Sequence, residues 1–155
     1  MNYEGLLQEA SDNDVYVIEK APFESDAKGL IKNDVIGLSQ SLVTDTERAC
    51  VLAEELGHYH TTVGNIIDVK DISNSKQERV ARIWAYNKMI GLQGIIEAHK
   101  HKCTTKHEVI EFLGVTEQFF NEAIKTYAEK YGVYTQIDNY VIFFTPALGV
   151  MELIA

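Results

Sequence analysis

The segment from Thr44 to His60 places the strongest constraint on how this chain can fold. Thr44 followed by Glu47 matches a capping box, in which each side chain accepts a hydrogen bond from the backbone N–H of the other residue. We therefore predict a helix that begins at Thr44 and ends near His58 or His60. A helix of this length must bury one face, and 155 residues are enough for a domain with a sizeable core.

The spacing of residues within this helix separates an apolar face from a polar one. The apolar positions recur at steps of three and four and form the predicted buried stripe: Ala49, Leu52, Ala53 and Leu56. On roughly the opposite side, Glu54 and His58 lie one turn apart and can point at a common atom, with Glu55 beside them. His60 turns about 200° away from His58 and is not favoured as a third ligand at the same point.

Two interpretations of Glu54 and His58 remain open at this stage. An exposed i,i+4 pair is common on helices and contributes only about 0.3 kcal/mol to helix stability. A bound cation is the alternative, because residues 49–69 contain no Lys or Arg to balance the two glutamates. Gly57 costs about 1 kcal/mol in a helix interior, which is tolerable where another backbone must come close or where the helix is ending.

The next predicted helix, with the sequence KQERVARIWAYNKMI, can supply a further ligand. Ser73 or Asn74 is expected to cap it and Gly91 to end it. Glu78, Ala81 and Ala85 share one face, and the two alanines would let this helix pack closely against the preceding one. Glu78 would then approach Glu54 and His58, although a solvated glutamate is an equally simple interpretation.

The rest of the chain predicts an α+β fold. A short helix over 4–10 precedes a strand over 14–20 and two strands that turn at Asn33-Asp34, which make a small antiparallel sheet. A connector covers 63–72, and a third helix covers 92–101. A helix-turn-helix pattern follows, with its turn at Gly114-Val115, and then a C-terminal hairpin that turns at Asp138-Asn139. We expect regions 1–102 and 103–155 to pack as one compact unit.

These segments together resemble the ImmA/IrrE family of metallo-endopeptidases. The resemblance rests on LAEELGHYHTT, on QERVARIWAYNKMI, and on a helical segment that ends in EKYG before a hairpin. It implies a zincin-like region over 1–102, with Glu55 as the catalytic glutamate and His58 and Glu78 as zinc ligands. Glu54 stands where the family's His-Glu-x-x-His motif has its first histidine. The family's association with phages and mobile elements implies a helix-turn-helix repressor as protein substrate.

Composition excludes some classes of function. The formal charge of −9 repels phosphate backbones, so nucleic acid is not expected as a partner. No membrane association is predicted, because the apolar C-terminal stretch is short and broken by Pro146. Two cysteines without paired spacing and an N-terminus without a secretory pattern indicate a cytoplasmic protein.

We therefore predict a zinc-dependent endopeptidase with Glu54, His58 and Glu78 as ligands and Glu55 as general base. Two carboxylate ligands also suit Mn²⁺ or Fe²⁺. Tyr59, His60 and Tyr86 could stabilise an oxyanion, but packing roles are favoured for each. The alternatives are an inactive relative that binds a repressor without cutting it, and a winged DNA-binding module. Metal binding by His99 and His101 is a minor alternative to a solvated turn.

Overall fold

The structure, a computed structural model, describes residues 1–62 and 71–154, except for the side chains of 71–74. The chain divides into two compact units, Met1–Met89 (unit 1) and Ile90–Ala155 (unit 2). Both units combine helices with a small sheet, which confirms the α+β class. The boundary that the sequence pattern places after residue 102 stays a prediction.

Unit 1 places a three-stranded sheet beside a set of helices. Its elements are α1 (Tyr3–Asp12), β1 (Tyr16–Ala21), β2 (Gly29–Lys32), β3 (Val35–Ser39), α2 (Asp45–Thr61) and α3 (Asp71–Met89). The sheet order is β1-β3-β2. β3 takes the centre because it is the most apolar strand, and Ile36 and Leu38 on it are fully buried.

The sheet of unit 1 is mixed, which corrects the antiparallel sheet expected from the sequence. β2 and β3 form the predicted hairpin around Asn33, whose φ of 54° suits a tight turn. β1, however, pairs with β3 in parallel, Tyr16 opposite Val35. The reason is that the chain reverses twice between β1 and β3, once before β2 and once in the hairpin, so that β3 points in the direction of β1. β2 is consequently an edge strand.

α2 is the central helix of unit 1, and its start is the predicted one. The Thr44 side chain accepts a hydrogen bond from Glu47 N, and the Glu47 carboxylate accepts one from Thr44 N, each at 3.1 Å. All four residues of the predicted stripe are buried: Ala49, Leu52, Ala53 and Leu56. The helix packs against α1, α3, β2 and β3, so it is held on several sides. These contacts hold the side chains on the remaining face of α2 in defined positions.

α3 begins earlier than the sequence indicates. It spans Asp71–Met89, so Ser73 and Asn74 lie inside the helix and the predicted cap at either residue is wrong. Serine and asparagine each cost only about 0.5 kcal/mol inside a helix, which the packing of a 19-residue helix outweighs. The predicted connector falls mainly on residues 63–70, outside the described residues. Gly91, with a φ of 64°, separates α3 from the next helix.

Unit 2 contains α4 (Gly91–Lys100), α5 (Lys106–Leu113), α6 (Glu117–Tyr131), β4 (Tyr134–Ile137), β5 (Tyr140–Phe143) and β6 (Gly149–Glu152). The predicted helix pair is confirmed: Thr105 and Glu108 form a second capping box, and Gly114 ends α5 in the left-handed conformation. Thr116 caps α6. No helix in the described ranges has both the length and the apolar character needed to cross a bilayer.

The C-terminal hairpin is part of a larger sheet. β4 and β5 pair as predicted around Asp138, which has a φ of 53°. β6 adds a third antiparallel strand against β5, with Val141 opposite Met151. Sequence patterning missed β6 because Pro146 interrupts the apolar run before it and Gly149 is its first residue. The hairpin prediction is therefore corrected to a three-stranded sheet.

Candidate active site

Two of the predicted metal ligands meet across the interface between α2 and α3. The His58 Nε2 atom lies 3.2 Å from Glu78 Oε1. The His58 side chain is only 19% exposed, whereas that of Glu78 is 52% exposed. An imidazole nitrogen and a carboxylate oxygen therefore converge at the partly open end of this interface.

Glu55 has the most perturbed carboxyl group of the site. Burial, followed by the negative charges of Glu54 and Glu78, raises its pKa to about 7. The two charge effects place Glu54 and Glu78 each within electrostatic range of Glu55. A carboxyl group with a pKa near neutrality is suited to taking up and releasing a proton at ordinary pH.

Gly29 at the start of β2 makes room for the Glu55 side chain. A Cβ atom at position 29 would lie 2.6 Å from Val51 Cγ1, closer than real Cβ contacts allow, and 3.1 Å from Glu55 Cγ, which is a tight contact. The absence of a side chain therefore lets Glu55 lie against the edge strand. Sequence analysis missed this role of Gly29. The available signal was a glycine at a strand position, which often marks a close approach.

Gly57 allows α2 and α3 to approach each other. A Cβ atom at position 57 would overlap the carbonyl oxygen of Ala81 and lie 3.2 Å from the Ala81 Cα atom. Ala81 and Ala85 are fully buried at this contact, as their small size predicts. Because Gly57 precedes His58 directly and Ala81 lies three residues after Glu78, the close backbone contact holds these two ligand candidates together.

The neighbouring aromatic residues have structural roles away from the Glu78 carboxylate. The Tyr59 hydroxyl donates a hydrogen bond to the Asn13 carbonyl oxygen at 3.3 Å. The His60 ring stacks on Trp84 with centroids 4.9 Å apart, and its Nε2 atom is 3.9 Å from a carboxylate oxygen of Glu9. Tyr86 is 3% exposed. His60 therefore points toward α1 and α3. This agrees with the rotation of about 200° between His58 and His60 that is expected in a helix.

The donor chemistry fits a divalent metal ion. Glu54 and Glu78 place negative charge near the Glu55 carboxyl group, and Glu78 contacts the His58 imidazole. Carboxylate and imidazole groups are the ordinary ligands of zinc, manganese and iron. Within residues 1–62 and 71–154, no group of three or more His, Cys, Asp or Glu side chains is already arranged as a complete metal site. His58 and Glu78 converge directly, and Glu54 is related to them by its position one turn before His58.

The fold is α+β with an ionisable cluster between two helices, and the family comparison identifies a peptidase-like domain. Residues 2–125 match the family model described as the IrrE N-terminal-like domain, Peptidase_M78. The match covers most of the chain, including unit 1 from residue 2 onward, and the chain belongs to this family. No curated protein and no solved structure matches the chain.

Proposed function

We propose that the chain is a zinc-dependent endopeptidase of the cytoplasm that cleaves a protein substrate at the α2/α3 site. Family membership supports a metallopeptidase-like hydrolase. The observation that carries the assignment is the convergence of His58 Nε2 and Glu78 Oε1 at 3.2 Å beside a partly buried Glu55 carboxyl group. A His58–Glu78 ion pair alone does not account for the Glu54 and Glu55 carboxyl groups, which lie within electrostatic range of each other on the same helix.

Each residue has a distinct proposed role. His58 and Glu78 would hold the metal, and Glu54 would complete the set of ligands from the same helix face. A bound zinc ion supplies the Lewis acidity needed to polarise a peptide carbonyl and to acidify water. Glu55 would accept the proton from water and pass it to the leaving amine. Mn²⁺ or Fe²⁺ is the alternative metal for a carboxylate-rich set.

The edge of the unit 1 sheet suggests how a protein substrate could be held. β2 pairs with β3 on one side, and its other side has no strand partner among the described residues. Gly29 places this edge directly against the Glu55 side chain. An extended peptide that hydrogen-bonds to β2 would therefore pass Glu55. From the family resemblance, we propose a helix-turn-helix repressor of a phage or mobile element as the substrate.

An inactive, repressor-binding protein is the second candidate function. It is favoured by Glu54 in the place of the usual first histidine and by the incomplete ligand arrangement in the described part of the chain. In that case the site would keep its fold and contact a partner without hydrolysing it. Metal content and cleavage, measured on the same variants, separate the two functions.

The deciding experiment is Glu55→Gln, assayed with a helix-turn-helix repressor encoded next to this chain. Glutamine preserves size and polarity but cannot accept the proton from water. We expect metal content, measured by elemental analysis, to persist while cleavage falls by a factor on the order of hundreds. Intact-mass analysis of the repressor gives the cleaved bond.

Glu24→Gln provides the matched control, because Glu24 is exposed in the loop before β2 and the charge change is the same. Its cleavage rate should equal that of the unmodified protein. Equal repressor cleavage by the Glu55→Gln and unmodified proteins would exclude Glu55 as the base. Repressor binding without cleavage in every protein would establish the inactive, binding function instead.

A further inference from the structure

Unit 2 contains a cavity that plays no part in the α2/α3 site. Its volume is about 660 Å³, and it lies between α4, α5, α6 and the segment from β5 to β6. Ile95, Phe120 and Phe144 form an apolar floor, each less than 5% exposed. Clefts of this volume with an apolar lining are the usual size of small-molecule sites.

The rim of the cavity carries the basic stretch of the sequence, residues 99–107. His99 and Lys106 line the rim, with the Asn121 amide on the α6 side. None of the lining residues, all within the described part of unit 2, is acidic, although the chain has 23 acidic residues against 14 Lys and Arg. The lining of the cavity is therefore a local exception to the negative charge of the molecule. It favours anionic ligands over cationic ones.

We propose that this cavity binds a small amphiphilic acid, with its apolar body on the floor and its anionic group at the rim. Lys106 supplies an ammonium group, and Asn121 and His99 supply further N–H donors. These groups suit a carboxylate, which is stabilised by charge-assisted hydrogen bonds. An apolar body of several carbons would remove the surfaces of Phe120 and Phe144 from water.

The contacts that Lys106 and its neighbours make at the rim do not prevent Lys106 from binding a carboxylate. Its Nζ atom lies 3.6 Å from Glu117 Oε1, but both side chains are at least half exposed, and such a pair contributes little. The Glu108 carboxylate accepts hydrogen bonds from the Thr104 and Thr105 hydroxyl groups at 3.0 and 3.1 Å. That carboxylate serves the capping box of α5 and is not among the lining residues.

Calorimetric titration of the full chain with decanoate below its micellar concentration tests the proposal. We expect saturable binding of one decanoate per chain, at least about tenfold tighter than decylammonium, which has the same apolar body and the opposite charge. Cys103 provides an independent readout, because it lines the cavity and is partly exposed whereas Cys50 is buried. Bound decanoate should slow the reaction of Cys103 with a thiol reagent.

Lys106→Gln and Lys102→Gln form a matched pair of variants. Both remove one positive charge from the same basic stretch, but only Lys106 lines the cavity. Lys106→Gln should weaken decanoate binding about tenfold, because one charge-assisted contact is lost. Lys102→Gln should leave decanoate binding unchanged. Thermal unfolding of both variants without ligand shows that each is folded.

Three results would overturn the proposal: no saturable decanoate binding, equal affinity for decanoate and decylammonium, or equal effects of the two lysine variants. Unchanged reactivity of Cys103 at saturating decanoate would show that decanoate binds elsewhere and would also overturn it. Because the cavity and the α2/α3 site share no residue, the result of this titration is independent of repressor cleavage.

Discussion

At the scale of single residues, Glu54 decides the charge of the candidate metal site. Two carboxylates and one neutral imidazole cancel the charge of a divalent zinc ion, whereas two histidines and one carboxylate leave a net charge of +1. Glu54 also contributes to the raised pKa of Glu55, so it lies within electrostatic range of the proposed base. A change at position 54 should therefore alter both metal affinity and acid–base chemistry.

We predict that Glu54→Ala loses most of its zinc affinity, by a factor on the order of a hundred, because two protein ligands remain. Glu54→His should retain zinc and move the pH profile of cleavage toward lower pH, since the greater positive charge lets water ionise more readily. Competition titrations with a zinc-sensitive chelator measure the affinities.

Glu24→Ala serves as the control for the loss of a negative charge, and its zinc affinity should not change. His58→Ala and Glu78→Ala should lose zinc as Glu54→Ala does. Zinc affinity in Glu54→Ala equal to that of the unmodified protein would show that Glu54 is not a ligand. Position 54 would then mark a site in which metal binding has weakened or been lost.

At the scale of elements, the spacing between α2 and α3 holds the site together. We predict that Gly57→Ala destabilises the fold by up to about 2 kcal/mol. The added methyl group overlaps the Ala81 carbonyl oxygen, at a cost of about 1–3 kcal/mol, and the better helix propensity of alanine offsets about 1 kcal/mol of it. Urea unfolding measures the change, and zinc affinity should fall as His58 and Glu78 separate.

Gly5→Ala provides a comparison within a helix. Its Cβ atom would meet the flexible Met1 side chain and the side-chain oxygen of Asn2, so the substitution should be neutral or slightly stabilising. If Gly57→Ala were as stable as Gly5→Ala and retained its zinc affinity, the close contact between α2 and α3 would not be what positions the ligands.

Much of the local structure of these elements could be predicted from the sequence. The capping box at Thr44 and the turns at Asn33, Gly114 and Asp138 each depend on a few neighbouring residues, and all appear in the structure. Local propensity failed where packing outweighed it, as in the start of α3. Local propensity also could not predict the parallel pairing of β1 with β3, because this pairing joins residues that are distant in the sequence.

The candidate site was predictable only in part for the same reason. Helical spacing places Glu54, Glu55 and His58 on one side of α2, and the alanines of α3 indicate a close neighbour. The distance from His58 to Glu78 and the contact of Glu55 with Gly29 depend on tertiary packing between separate elements. No spacing rule within one helix contains that information, so the role of the edge strand became visible only in the structure.

At the scale of the whole molecule, net charge opposes the DNA-binding function that the fold of unit 2 suggests. Unit 2 has the helix pair and the hairpin of a winged module. Its candidate recognition helix, α6, carries acidic residues along with basic ones: Glu117, Glu122 and Glu129 with Lys125 and Lys130. A formal charge of −9 on the chain adds long-range repulsion from phosphate.

We therefore predict no binding of a 25-base-pair duplex in a gel-shift assay at low salt, where electrostatic attraction would be strongest. The double variant Glu117→Lys/Glu122→Lys tests the sensitivity of the assay, since it changes α6 from a net acidic to a net basic helix and should produce a salt-sensitive shift. A salt-sensitive shift with the unmodified protein at micromolar concentration would contradict the prediction. It would show that unit 2 binds DNA in spite of the charge, and the repressor's operator, rather than the repressor itself, would become the target to test.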